Sequence, residues 1–413
     1  MSQDSDLLKV EMRRPEGASK ALCDAGLGAS SQIAFKMVEY RVMTRRALLP
    51  CAAMVARLAR AMPQARVESL QVISQQPEFY HGWPTLTRLH SGELLVTYSG
   101  GREAHVCPFG RVEIIRSSDN GRSWSWPETV LDTPIDDRDS GVCETPAGSL
   151  LVTTFTSLAY EDALKKADGW DSQRLARWRA VNLRAPAERR KELLGTWMLR
   201  STDGGMTWSA PYRVPVNSPH GPVAASGGRL LYAGKKLWDS GRKVGFCEST
   251  DDGVTWRWLS DIPARAGDTV AEYHELHAVE AGDGRIIVQI RNHNTANAGE
   301  TLQCESSDGG HSWSAPRPIG VWGIPSHLLR LRDGRLLMTY GYRRARFGNL
   351  ARISEDHGRT WSAPLVISND GAGSDLGYPS TAELPNGEFV TVWYERQKDS
   401  PRAVLRKALW SIV

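Results

Sequence analysis

The chain has 413 residues, 41% of them hydrophobic and 24% charged, with a formal net charge of +4. This composition excludes a collagen, a coiled coil and a wholly disordered chain, and the small, dispersed positive excess provides no basic stripe for nucleic acid. The most apolar uncharged run, residues 47–56, falls well short of the roughly 20 residues a bilayer-spanning helix needs, so no membrane span is expected.

Residues 1–65 carry none of the repeat signals found further on. They hold Met43-Thr-Arg-Arg-Ala-Leu-Leu-Pro and, further on, Ala59-Arg60-Ala61, a twin arginine followed by a short apolar stretch that resembles a bacterial export signal. Arg57 and Arg60 interrupt the pattern. The segment is therefore expected to be an export signal, placing the protein in the periplasm or outside the cell, or else a poorly ordered arm of a cytoplasmic protein. Six cysteines are scattered without a Cys-x-x-Cys pair, so they are expected as small buried hydrophobes, not as a disulfide framework or a zinc ribbon.

From residue 66 onward the chain repeats itself. Ser-x-Asp-x-Gly-x-(Ser/Thr)-Trp occurs at Ser117, Ser201, Ser249, Ser306 and Ser354, at spacings of 84, 48, 57 and 48 residues. Its Asp can accept bonds from nearby backbone N–H groups, its Gly can take positive φ, and its Trp can pack behind the turn. Each copy follows a β-like run such as Val112-Glu-Ile-Ile-Arg116, so it is expected to join two outer strands and to serve folding.

A second element, a Gly followed by a short apolar strand, occurs at Gly92, Gly148, Gly228, Gly284, Gly334 and Gly387. Six such units of about 50 residues, each with four short strands, predict an all-β fold, a six-bladed β-propeller over residues 66–413. Val67 to Ser74 is expected to supply the outer strand missing from the last blade. Residues 159–194, charged and rich in Ala, Leu and Arg, are expected as a helical insertion in the second blade that covers the central funnel.

In such a ring the residues ahead of each Gly hairpin converge at one end of the channel. They include Tyr80-His81-Gly82-Trp83, Arg138-Asp139-Ser140, Ser218-Pro219-His220, His274-Glu275-Leu276-His277, Ser326-His327 and Asp375-Leu376-Gly377-Tyr378. His81, His220, His274, His277 and His327 lack the spacing of a metal-binding motif, so no metal and no cofactor is expected, and the histidines are read as hydrogen-bonding groups. The loops leaving the inner strands add Arg102, Arg291 and Arg343, planar bidentate donors suited to a carboxylate.

These residues resemble the sialidases, exo-acting six-bladed glycosidases. Glu275 stands nine residues before Gly284 and sixteen before Arg291, and Gly377-Tyr378-Pro379-Ser380 runs on to Tyr394-Glu395, as in that family. The resemblance implies Tyr378 as nucleophile, Glu275 as its base and Arg291 as one carboxylate-binding arginine. It also shows departures. The family's opening Arg-Ile-Pro is replaced by Gly82-Trp83-Pro84, and no Asp follows Arg102 before Gly110, so the first arginine and the usual acid are missing. Glu103, His105 and Asp139 are the candidate replacements for the acid, with Asp139 preferred because it lies at a strand start beside Arg138.

The leading expectation is thus an exo-glycosidase hydrolysing a terminal acidic sugar, sialic acid or a relative, through Tyr378, Glu275 and Asp139. Arg291, Arg102, Arg343, Arg138, His81, His277 and Asp375 are expected on the substrate. A polysaccharide lyase acting on uronates through the His- and Arg-rich funnel is the first alternative, and a non-catalytic carbohydrate-binding propeller is the second.

Overall fold

The computed structural model describes residues 62–239 and 241–413. The export-like segment, Cys23 and Cys51 lie outside the described residues.

Six four-stranded antiparallel sheets follow one another along the chain. Their first strands are Tyr80–Arg88, Asp136–Glu144, Val223–Ala224, Tyr273–Glu280, Ser326–Arg330 and Leu376–Glu383. Each sheet touches the next, and the sixth returns to the first, so the sheets close into a ring with these strands innermost. The sixth sheet is completed from the other end of the chain. Ala65–Val72 pairs antiparallel with Ala403–Ile412, shifted two residues from the expected Val67 to Ser74. A single sheet of this kind would leave apolar side chains exposed on both faces, and the ring buries them between neighbours. Leu95, Ile114 and Val152 fill one seam, for example, and Leu337, Trp393 and Trp410 fill another.

The two repeated sequence elements occupy equivalent turns in successive blades. All six hairpin glycines have φ between +76° and +93°, a region an L side chain rarely adopts. In the Ser-x-Asp motif the carboxylate closes the outer hairpin. Asp119 accepts from the backbone N–H groups of Arg122 and Ser123, both at 2.9 Å, and from Ser123 Oγ at 2.6 Å. Cys247 and Cys304 sit on the third strands of the third and fourth blades, and the four described cysteines are buried and free.

Between Leu150–Ser157 and Thr196–Ser201 the chain forms three short helices, α1 (Ala159–Lys165), α2 (Ser172–Val181) and α3 (Ala187–Glu192). Tyr160 and Trp178 of these helices share an apolar cluster with Cys107 and Ile135. Arg177 and Trp178 both donate to Glu103, at 2.8 and 2.9 Å.

Candidate active site

The geometry of the pit begins with a backbone irregularity that four blades share. In the inner strand pair of the first, second, fourth and sixth blades, one extra residue is inserted on the innermost strand. The register steps from Gly82 to Thr85, Arg138 to Gly141, His274 to His277 and Gly377 to Ser380, while the partner strand advances only two residues. The residue after the first of each pair adopts positive φ: Trp83 at 55°, Asp139 at 44°, Glu275 at 46° and Tyr378 at 54°. Such a bulge breaks the strict alternation of side chains and re-aims one of them. Four remote residues are thereby presented in equivalent poses.

Tyr378 Oη donates to Glu275 Oε1 at 2.5 Å, and Arg291 Nη1 donates to Glu275 Oε2 at 2.6 Å. Burial alone would raise the Glu275 carboxyl, but the Arg291 guanidinium and the two hydrogen bonds bring it below its ordinary value. It is therefore an ionised acceptor at neutral pH. The Tyr378 phenol moves the opposite way, pushed well above its ordinary value by burial and then by the Glu275 and Asp139 charges.

Asp139 is 6% exposed, and its Oδ1 has no hydrogen-bond partner among the described residues. Burial pushes its carboxyl up to about 7; Arg138 opposes the shift and Glu275 adds to it. A protonated Asp139 and an ionised Glu275 thus coexist in one pit near neutral pH, the divergence expected of an acid and a base.

The guanidinium groups divide into two kinds. Arg102 donates from both terminal nitrogens to Asp136, at 2.6 and 3.0 Å, and has no exposed surface. Expected on the substrate, it is committed instead to a carboxylate of the second blade, across the seam between the two sheets. Arg291 is paired with Glu275. Arg138 has no hydrogen-bond or ion-pair partner among the described side chains; it lies 4.7 Å from the Trp83 ring centre, and its Nε is buried without an acceptor. Arg343 donates to Leu376 O at 2.7 Å and to Tyr394 Oη at 3.2 Å; among the described residues no carboxylate is hydrogen-bonded or ion-paired to it, although its charge is felt by Asp375.

Other expected residues are distributed differently. His81 is fully buried and bonded to Ser74 Oγ at 2.7 Å; that hydroxyl also takes the Leu405 N–H, so His81 belongs to the ring-closing seam and not to the pit. His277 is stacked on His327 with ring centres 4.7 Å apart, and His220 lies edge-on to both. His277 Nδ1 accepts the Leu328 N–H at 2.9 Å, which fixes that ring as a buried neutral floor, and burial depresses all three imidazoles. Asp375 accepts from Tyr80 Oη at 2.9 Å and lies 3.4 Å from His105 Nδ1. Of the other candidate acids, Glu103 is bound by the helices and His105 by this Asp375 group.

Three features escaped the sequence reading. Tyr80, Trp83, Tyr378 and Tyr394 form a continuous aromatic wall with ring centres 5.7–6.5 Å apart. Lys235 is almost fully buried, with its ammonium 3.2 Å from His274 Nε2. His293 lies beside His274 with ring centres 4.5 Å apart. Lys235 could have been found, because it lies seven residues after its hairpin Gly228, as Arg291 does after Gly284.

Residues 169–391 match the family model described as a BNR repeat-like domain. The chain belongs to this family. Among curated proteins, this BNR repeat-like chain is 26% identical over 339 residues to a sialidase of Micromonospora viridifaciens, covering 74% of the chain and 48% of the relative. It thus spans about half the length of that relative. Among solved structures, a Dyadobacter fermentans protein of unknown function superposes with a TM-score of 0.68 at 21% identity, over 84% of this chain and 99% of that one. The NanB sialidase of Streptococcus pneumoniae gives 0.59 at 18%, over 83% and 70%. A leech intramolecular trans-sialidase gives 0.57 at 14%, over 84% and 70%. At these identities the likeness is one of fold, a sialidase-type propeller.

Proposed function

We propose that the pit is the catalytic centre of a glycoside hydrolase acting on a terminal sugar that carries a carboxylate. The observation that carries this reading is the hydrogen bond from the Tyr378 phenol to an ionised Glu275. A phenol is a poor nucleophile at neutral pH unless a neighbouring carboxylate takes its proton, and base assistance of this kind contributes about 10²- to 10⁴-fold. As a neutral group, Tyr378 approaches an anomeric carbon next to a carboxylate without the repulsion an Asp or Glu nucleophile would meet.

Asp139 is assigned as the acid that protonates the leaving oxygen. Arg138 and Arg343, the guanidiniums without a carboxylate partner, are assigned to the substrate carboxylate, with Arg291 orienting Glu275 and completing the positive wall. Gly82-Trp83-Pro84 stands where the sialidase pattern has Arg-Ile-Pro, so no guanidinium comes from the first blade there and the carboxylate is gripped from the second and fifth blades. The contacts of α2 with Glu103 support reading residues 159–194 as a helical insertion of the second blade that covers one side of the funnel.

The test is a screen of alkyl and aryl glycosides of sialic, other nonulosonic and uronic acids with the wild-type chain and Tyr378→Phe, read by product mass. Release of the free sugar by the wild type alone supports the proposal. An unsaturated product absorbing in the ultraviolet would instead indicate elimination, and binding without turnover would indicate a carbohydrate-binding module.

A further inference from the structure

Beside the pit, on the fourth blade, Glu272, His274 and His293 offer ligand atoms that all lie within 4.8 Å of one another. The backbone pins the two segments that carry them. His293 N–H donates to Glu272 O at 2.8 Å, and His274 pairs with Arg291 across the ladder. Two of the three side chains, Glu272 and His293, are uncommitted, and the third, His274, contacts a single group. Among the described residues no hydrogen bond or ion pair engages the Glu272 carboxylate or the His293 ring, and the His274 nitrogens meet only the Lys235 ammonium, at 3.2 and 3.4 Å. All three are partly exposed, so an ion from solvent can reach them.

We propose that Glu272, His274 and His293 form a binding site for a divalent transition metal of zinc type. Two imidazoles and one carboxylate are a donor set for a borderline ion, and three protein ligands leave coordination positions for water or a substrate oxygen. The donor set selects against hard cations, because a calcium or magnesium ion, which depends on several oxygen ligands, would find only one carboxylate here. The metal site stands independently of the glycosidase reading, although it adjoins Glu275 and Arg291 in sequence and on the same blade.

Lys235 is the built-in competitor, because its ammonium lies where it repels an incoming cation. It donates to Ala271 O at 2.6 Å, which anchors it to the backbone, while its contact with the His274 ring is one an incoming ion has to displace.

The experiment uses the full chain, freed of metal by a chelator and dialysed. Zn²⁺ binding is followed by calorimetry and Co²⁺ binding by visible absorption. A single ion per chain is expected, with affinity weakened by more than about 10-fold in His293→Ala and in Glu272→Ala and tightened in Lys235→Met. Circular dichroism and the melting temperature establish that each variant folds, and since no side-chain bond of Glu272 is lost, that variant guards against collapse of the site. Absence of saturable binding in the wild type overturns the proposal, and so does equal affinity in wild type, His293→Ala and Glu272→Ala.

Discussion

Asp139 is the residue at which the proposed chemistry and the stability of the fold oppose each other, and Asp139→Asn separates them. Its carboxyl ordinarily ionises at 3.8 and is pushed up to about 7 in the folded chain, chiefly by burial. A raised folded value means that the native state holds the proton while the unfolded chain releases it. This contribution to stability is complete below about pH 4 and is lost as the pH rises towards 7. At about 1.4 kcal/mol per unit, the loss amounts to about 4 kcal/mol. Asn keeps the shape without the ionisation, so the variant should gain on the wild type progressively between pH 4 and 7 and hold a roughly constant advantage above that. Urea unfolding of both chains at pH 5 and pH 8 measures this difference directly. The same substitution removes the proposed acid, so turnover of an alkyl glycoside should fall by about 10²- to 10⁴-fold while an aryl glycoside with a good leaving group loses much less. Wild-type activity should decline as the pH rises through about 7, and the variant should lack that alkaline limb. Parallel stability profiles for the two chains, or undiminished alkyl-glycoside turnover by the variant, would refute the assignment.

Tyr378→Phe should lower kcat on every substrate by at least about 10²-fold with little change in KM, as steady-state kinetics would show; near-normal kcat would remove the nucleophile assignment. Arg138→Met should raise KM for carboxylate-bearing substrates by about 10- to 100-fold, the worth of one charged hydrogen bond. Its melting temperature should be unchanged or higher, because an unpaired buried cation is removed. Asp356→Ala loses the bonds to Ser354, Thr360 N and Thr360 Oγ1 and should cost about 1–3 kcal/mol by chemical denaturation without altering substrate preference. Hydrogen bonds hold the Asp356 carboxyl below its ordinary value although burial opposes them, so its contribution is present above about pH 4 and is lost as the pH falls.

What the sequence displayed was whatever depends on neighbours along the chain. The Ser-x-Asp turns and hairpin glycines are closed by residues within five positions of one another, so their spacing revealed six blades and the strand that completes the ring. The pit obeys a different logic. His81 and Trp83 are two residues apart, and which of them faces the channel depends on where the extra residue enters the strand. Gly82-Trp-Pro, Arg138-Asp-Ser, His274-Glu-Leu and Gly377-Tyr-Pro share no residue that announces that bulge. The pairing of Arg102 is hidden for a related reason. Its partner Asp136 is 34 residues away on the next blade, and nothing local in either segment reveals the pairing. Arg138 and Asp139 could be named as candidates from composition, but the lack of partners that distinguishes them from Arg102 is a property of the closed ring alone.

The bulges also explain why one ring can carry both a rigid scaffold and a reactive pit. In a regular inner strand, alternate side chains point into the two seams with the neighbouring blades, where they are consumed by packing. The fifth blade behaves this way, since Ser326–Arg330 pairs without a register shift and its His327 ends in the floor. A positive-φ residue costs an L amino acid roughly 1–2 kcal/mol, and the innermost strands of the first, second, fourth and sixth blades each tolerate one at the bulge. Each cost sits between two regular stretches of ladder that hold the strand on either side, so the strained residue has no lower-energy register to relax into. At these four bulges the strain sits on residues of the innermost strands, so the Glu275 and Asp139 carboxyls, the Tyr378 phenol and the Trp83 indole are fixed by strand geometry instead of by loops.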